Sequence, residues 1–166
     1  MTTDRTHCDP ANPADCRPED DRPLHSYSAL MVIHTVLVGG ALAVAVHQRR
    51  LPRRIAVADL ALGAVATFKL SRLITRSAVA SPLRAPFTGE AEPAGPAEVI
   101  EEVEGSGIRR AVGELLTCPF CLGHWIATGF SLGLVYAPEA TRTVGAVLCI
   151  EAGADLLQHA HARLPD

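Results

Sequence analysis

Residues 117–125, TCPFCLGHW, hold the side chains best suited to chemistry: Cys118 and Cys121 at CxxC spacing, His124 three positions on, and Trp125, the single tryptophan of the chain. Three uses fit this set. The first is redox. Cys118-Pro-Phe-Cys121 matches a glutaredoxin-type dithiol letter for letter, and a helix N-terminus at such a motif favours the thiolate. A thioredoxin-like fold would need a strand directly before the motif, whereas AVGELLT has helical character. A membrane dithiol-disulfide oxidoreductase has no such requirement. In that scheme Cys118 and Cys121 exchange with a second pair, for which Cys8 and Cys16 are the candidates. It needs the motif outside the cytoplasm and an electron acceptor such as a quinone.

The second use is metal binding. Cys118 and Cys121 form a chelating pair, His124 follows one helical turn later, and His159 supplies a fourth donor, a set suited to four-coordinate zinc. Asp155 and His159 stand four apart on one helix face and belong to the same end of the chain's architecture. The third use is packing: small thiols beside Trp125 at a helix entry, with Pro119 in its favoured first-turn position.

The elements that position these residues are apolar. The chain has 166 residues, 48% of them hydrophobic and only 4% aromatic, with a mean hydropathy of +0.20. Its apolar residues gather in blocks separated by Pro-rich and Arg-rich stretches, the pattern of a small helical membrane protein. Residues 27–46, YSALMVIHTVLVGGALAVAV, carry no Asp, Glu, Lys or Arg and reach about 30 Å as a helix, the hydrocarbon thickness. HQRRLPRR then stops the helix with four arginines and Pro52. Residues 55–70 form a shorter apolar block containing Asp59 and Lys69, residues 122–137 a block with Trp125 and Tyr136 at its ends, and residues 143–157 the last. Between the second and third blocks lies a polar, acidic, Pro/Gly-rich connection. It ends in IRRAVGELL, whose stripe of Ile108, Val112, Leu115 and Leu116 predicts a short interfacial helix before the CxxC.

Other classes drop out. A net charge of −3, with no basic patch interleaved with aromatics, excludes nucleic acid as a partner. Five scattered cysteines do not make a disulfide scaffold. Residues 1–25 are proline-rich and charged with few large apolar side chains, which predicts a flexible tail and no signal peptide. With one lysine among fifteen basic residues, the composition suggests a GC-rich bacterial source.

Four spans would put the N-terminal tail, the CxxC, His124, His159 and His161 at one membrane surface. The basic residues pull orientation both ways: by count the CxxC side is cytoplasmic, by density in the short loop 47–54 it is external. Glu151, Asp155 and His159 recur every four residues as a polar stripe. Ionisable groups at membrane depth need a partner helix or a water-filled path. Lys69 or Arg72 would be the partner, while a proton or ion path would demand an oligomer. For Asp59 the expected partners are its neighbours Arg53 and Arg54.

The strings FKLSRLITRSAVASPLRAPF, GSGIRRAVGELLTCPFCLGHWIA and AGADLLQHA together resemble a family of small bacterial membrane proteins known as domain of unknown function 1360, over roughly residues 57 to 161. The resemblance implies a membrane protein with a CxxC and carries no assigned activity. The expected fold is therefore all-α: an integral membrane bundle of about four helices, with an interfacial helix before the CxxC. The chain divides into a tail (1–25), a first helix with its Arg-rich loop (26–54), a family-like membrane domain (55–161) and a C-terminal tail (162–166). The expected function is a non-catalytic interaction or assembly component of the bacterial cell membrane, whose CxxC is structural or binds zinc through Cys118, Cys121, His124 and His159. The alternative is the dithiol oxidoreductase using Cys118 and Cys121. Partners are the lipid bilayer and either a second copy or another membrane protein.

Overall fold

A computed structural model describes residues 24–95 and 97–164. Cys8 and Cys16, and the relay expected of them, lie outside the described residues. The chain runs as helix α1 (Leu24–His47), helix α2 (Val57–Arg76), a 3-10 turn (Ala78–Ala80), a one-turn helix α3 (Ser81–Arg84), strands β1 (Thr88–Gly95) and β2 (Glu98–Val103), and helices α4 (Gly107–Thr117), α5 (Pro119–Tyr136) and α6 (Pro138–His161). The apolar blocks are helices, and the predicted stripe before the CxxC is α4. The last helix starts earlier than its apolar run, because Pro138 takes a first-turn position where its missing N–H costs nothing.

The four long helices alternate in direction. At one end, the α1 residue Ala41 accepts a hydrogen bond at 2.5 Å from the Tyr136 hydroxyl near the end of α5, and Arg50 lies over the Tyr136 ring. Asp59, in the first turn of α2, takes two hydrogen bonds of 2.8 Å from Arg142 near the start of α6. This corrects the expected pairing with Arg53 or Arg54: the carboxylate turns inward to another helix rather than back along its own loop. At the other end, Lys69 of α2 binds Glu151 (3.2 Å) and Asp155 of α6, the partner expected for that stripe.

Small residues let α2, α5 and α6 approach closely. A Cβ on Gly145 would stand 2.9 Å from Leu62 Cγ and 3.0 Å from Phe130, and one on Gly63 would stand 3.0 Å from the same Phe130 ring. The Phe130 ring of α5 thus fills a slot that two glycines, one on each neighbouring helix, keep open.

The expected polar connection 71–107 is not irregular. It holds the antiparallel β1–β2 hairpin, with Thr88 opposite Val103 and Glu92 opposite Ile100. Beneath it lies a buried polar knot. Arg84, 0% exposed, donates from Nε and Nη2 to Glu101 at 3.0 and 2.8 Å, to the Ser77 carbonyl at 3.1 Å and to the Ile74 carbonyl. Ser81 and Thr88 hydroxyls complete the carboxylate at 2.6 and 2.8 Å. Burial pushes the Glu101 carboxyl up, but the hydrogen bonds from Arg84, Ser81 and Thr88 outweigh it and hold the group down at about 2. The knot ties the end of α2, α3 and both strands together. Helix α4 packs on this unit through Gly113, where a Cβ would come within 2.6 Å of Val103 and 3.1 Å of the Phe87 carbonyl.

Among the described residues α1 is the one helix that is by itself long and apolar enough to cross a membrane; α4 and α5, bent by 82° at their junction, pass the same test as a pair. The fold is mostly helical with a small two-stranded sheet, where an all-α bundle was expected.

Candidate functional site

The CxxC sits at the corner between α4 and α5. Cys118 has extended backbone angles, φ −100° and ψ 108°, and its backbone closes one helix and opens the next. Its N–H donates to the Glu114 carbonyl at 3.1 Å, and its carbonyl accepts from Leu122 at 3.0 Å. Its Sγ accepts from the Cys121 N–H at 3.2 Å, the contact made by a helix-capping side chain. Pro119 follows as the first residue of α5. Glu114, one turn before the corner, anchors it to α1 by accepting from the Tyr27 hydroxyl, and also holds Arg110 at 3.0 Å.

The side chains at the corner differ sharply in environment. Cys118 is half-buried, Cys121 is exposed, and both are free thiols; Phe120 is 90% exposed. Within α5, Leu122 is buried and Gly123 faces Thr67 and Ser71 of α2. His124 and Trp125 instead meet His34 of α1, with ring centroids 4.8 and 4.6 Å away. His34 is buried, and its Nε2 has no hydrogen-bond partner among the described residues.

The four expected zinc ligands are not assembled. His124 faces α1, whereas His159 donates from Nδ1 to the Asp155 carbonyl at 2.8 Å and lines a cleft of about 490 Å³ with Lys69, Arg72 and Glu98. Among the described residues no three His, Cys, Asp or Glu side chains are grouped to hold a metal. Asp155 is engaged by Lys69, and Arg72 by Glu98 at 2.5 Å. A second, larger groove of about 900 Å³ runs between α1, α2 and α5, from His124 to the Arg-rich loop.

Two features escaped the sequence. His34 is the one residue in the middle of the first apolar run with an ionisable side chain, a signal that was available. The Arg84–Glu101 knot has no periodicity to announce it.

A family model described as a protein of unknown function (DUF1360) matches residues 62–161. The chain belongs to this family. The match takes in the whole of the CxxC corner, the Arg84–Glu101 knot and the Lys69 cluster, and leaves α1 outside it. Sporulation protein YjcA of Bacillus subtilis (strain 168) is 31% identical over 102 residues, 60% of this chain and 86% of the relative. No solved structure matches.

Proposed function

We propose that this DUF1360 member is a multi-pass protein of the bacterial cell membrane, with α1, α2, α5 and α6 as its spans, and that it acts as a non-catalytic assembly component whose CxxC is a structural corner. The observation that carries the membrane reading is an inside-out distribution of polarity. On α2 the ionisable groups Lys69 and Asp59, 12% and 13% exposed, turn to Glu151, Asp155 and Arg142 of α6, while Phe68, Val147 and Ile150 face outward, Ile150 at 74% exposure. Helix α1 likewise exposes Met31, Val32, Val36 and Leu37. In water this arrangement would sacrifice apolar burial; in lipid it is the stable one.

The corner reading rests on the Cys118 cap. Serine caps helix N-termini at least as well as a thiol, while alanine does not and costs about 1 kcal/mol. Cys118→Ser protein should therefore match wild type in thermal stability and membrane level, with Cys118→Ala falling below both.

One observation favours the dithiol reading: Cys118 at a helix N-terminus beside an exposed Cys121. It predicts that serine and alanine at position 118 are equally defective in disulfide exchange, since neither carries a thiol. An impermeant thiol reagent applied to intact cells, with the other cysteines replaced by serine, separates the two. Labelling of Cys118 and Cys121 only after reduction would mark an external, oxidised pair and overturn the structural reading. The Bacillus relative brings spore formation to this chain as the proposed process. Deletion in a spore-forming host, scored for spore yield, tests it: a normal yield rejects the assignment.

A further inference from the structure

We propose that the groove between α1, α2 and α5 binds one anionic phospholipid, with an acyl chain along the groove and its phosphate on Arg54. The inference rests on the membrane reading above. The groove is about 900 Å³ and its walls are apolar, from Val38 and Leu42 of α1 and Leu60 and Ala64 of α2 to Ala127 and Val135 of α5. Between His124 and Val135, both lining it, α5 advances about 16 Å at 1.5 Å per residue. That is close to half of the roughly 30 Å hydrocarbon core, the depth of one leaflet. The Arg-rich loop sets one end at a headgroup surface, and the groove extends about 16 Å from it along α5.

The charge at the headgroup end selects the lipid. Arg54 and Arg142 line the mouth. Arg142 is committed to Asp59 through both nitrogens, which also removes the one carboxylate at the mouth from competition. Arg54 has no ion pair among the described residues, and Arg49, Arg50 and Arg53 share its loop with no acidic residue between them. A chain of net charge −3 thus concentrates unpaired positive charge where the groove opens. Basic pockets between spanning helices at a membrane surface are built for anionic headgroups. A free anion would have no use for the apolar length below it, and a zwitterionic lipid, whose phosphate could also reach Arg54, would bring a second cation into a mouth already lined with arginines.

The test uses the full chain purified in a nonionic detergent, with phosphatidylglycerol, phosphatidylcholine of the same acyl chains, or glycerol phosphate added. Phosphatidylglycerol should raise Tm by about 5–10 °C at about a hundredfold excess over its Kd, with glycerol phosphate inert. Arg54→Gln, in an exposed loop, should lower the preference for phosphatidylglycerol over phosphatidylcholine about fivefold. Ala127→Trp, which fills the groove, should abolish stabilisation by both lipids. Equal stabilisation by the two lipids, an unchanged preference in Arg54→Gln, or a full effect of glycerol phosphate alone would overturn the proposal. So would dimerisation of wild type that Ala127→Trp abolishes, since a second copy would then occupy the groove. Alkaline carbonate extraction of native membranes separates the failures: release of the chain defeats the membrane reading itself, whereas retention with no lipid preference defeats only the lipid site.

Discussion

Replacing Arg84 with methionine keeps an unbranched apolar stem and removes the guanidinium charge from a site that is 0% exposed. The variant loses both hydrogen bonds to Glu101, and leaves the carbonyls of Ile74 and Ser77 without this donor. Glu101 keeps only Ser81 and Thr88. Breaking one side of a buried pair costs about 3–5 kcal/mol, because the other charge stays desolvated. At about 2–4 °C per kcal/mol for a chain of this size, Tm should fall by about 6–20 °C. The pH dependence carries a second signature. In wild type the Glu101 carboxyl is held at about 2 against an ordinary 4.5. Its contribution is thus complete above pH 4.5 and lost as pH falls through about 2. In Arg84→Met only Ser81 and Thr88 still oppose burial and the carboxyl rises from its wild-type position, so the deficit should be largest near neutral pH and shrink on acidification. Thermal unfolding in detergent between pH 4 and 8, with hydrogen exchange at the Thr88–Val103 pair, measures both. Adding Glu101→Leu should restore most of the loss, since a buried pair replaced as a whole by apolar groups is tolerated. A deficit below about 1 kcal/mol, or a double variant no better than the single one, would refute the argument.

Three further outcomes follow from the helix contacts. Gly145→Val should push α6 from α2 and α5 and cost about 1–3 kcal/mol, and Phe130→Ala in the same chain should recover part of it; thermal unfolding reads the coupling. Lys69→Met leaves Glu151 and Asp155 without their cation, so the amount of protein in membranes should drop. A Lys69→Met, Glu151→Gln, Asp155→Asn triple variant should return toward wild type, and immunoblots of membrane fractions report it. Gly113→Leu should loosen α4 from the hairpin, where the Phe87 carbonyl cannot yield, and raise hydrogen exchange in β2 without changing exchange in α6.

The sequence announced the helices because each has a local signature: an uncharged run for α1, an apolar stripe for α4, a proline at the start of α5. The pairing of Lys69 with Glu151 and Asp155 was legible for a different reason. Charges set within apolar helices must find partners, and few were on offer. Chain proximity points Asp59 to Arg53 and Arg54, but the helix packing brings it a partner from far along the chain. Its partner Arg142 is 83 residues away, across the α2–α6 interface. The hairpin was invisible for lack of alternation: TGEAEPAG contains one β-branched residue, Thr88, and a proline and two glycines. Its strands are held by tertiary contacts, with Arg84 and Glu101 supplying the anchor. At the CxxC the spacing was plain, and Pro119 marks the start of α5, but the 82° angle between α4 and α5 has no local signature.

If α1, α2, α5 and α6 cross the bilayer as proposed, the CxxC corner and the hairpin lie opposite the Arg-rich loop. Single cysteines at Gln48, Ala94 and Glu139, in a chain whose own cysteines are serine, can be labelled with an impermeant reagent in intact cells and in inside-out vesicles. With four spans, positions 48 and 139 label in one preparation and position 94 in the other. Labelling of all three in the same preparation would contradict that arrangement.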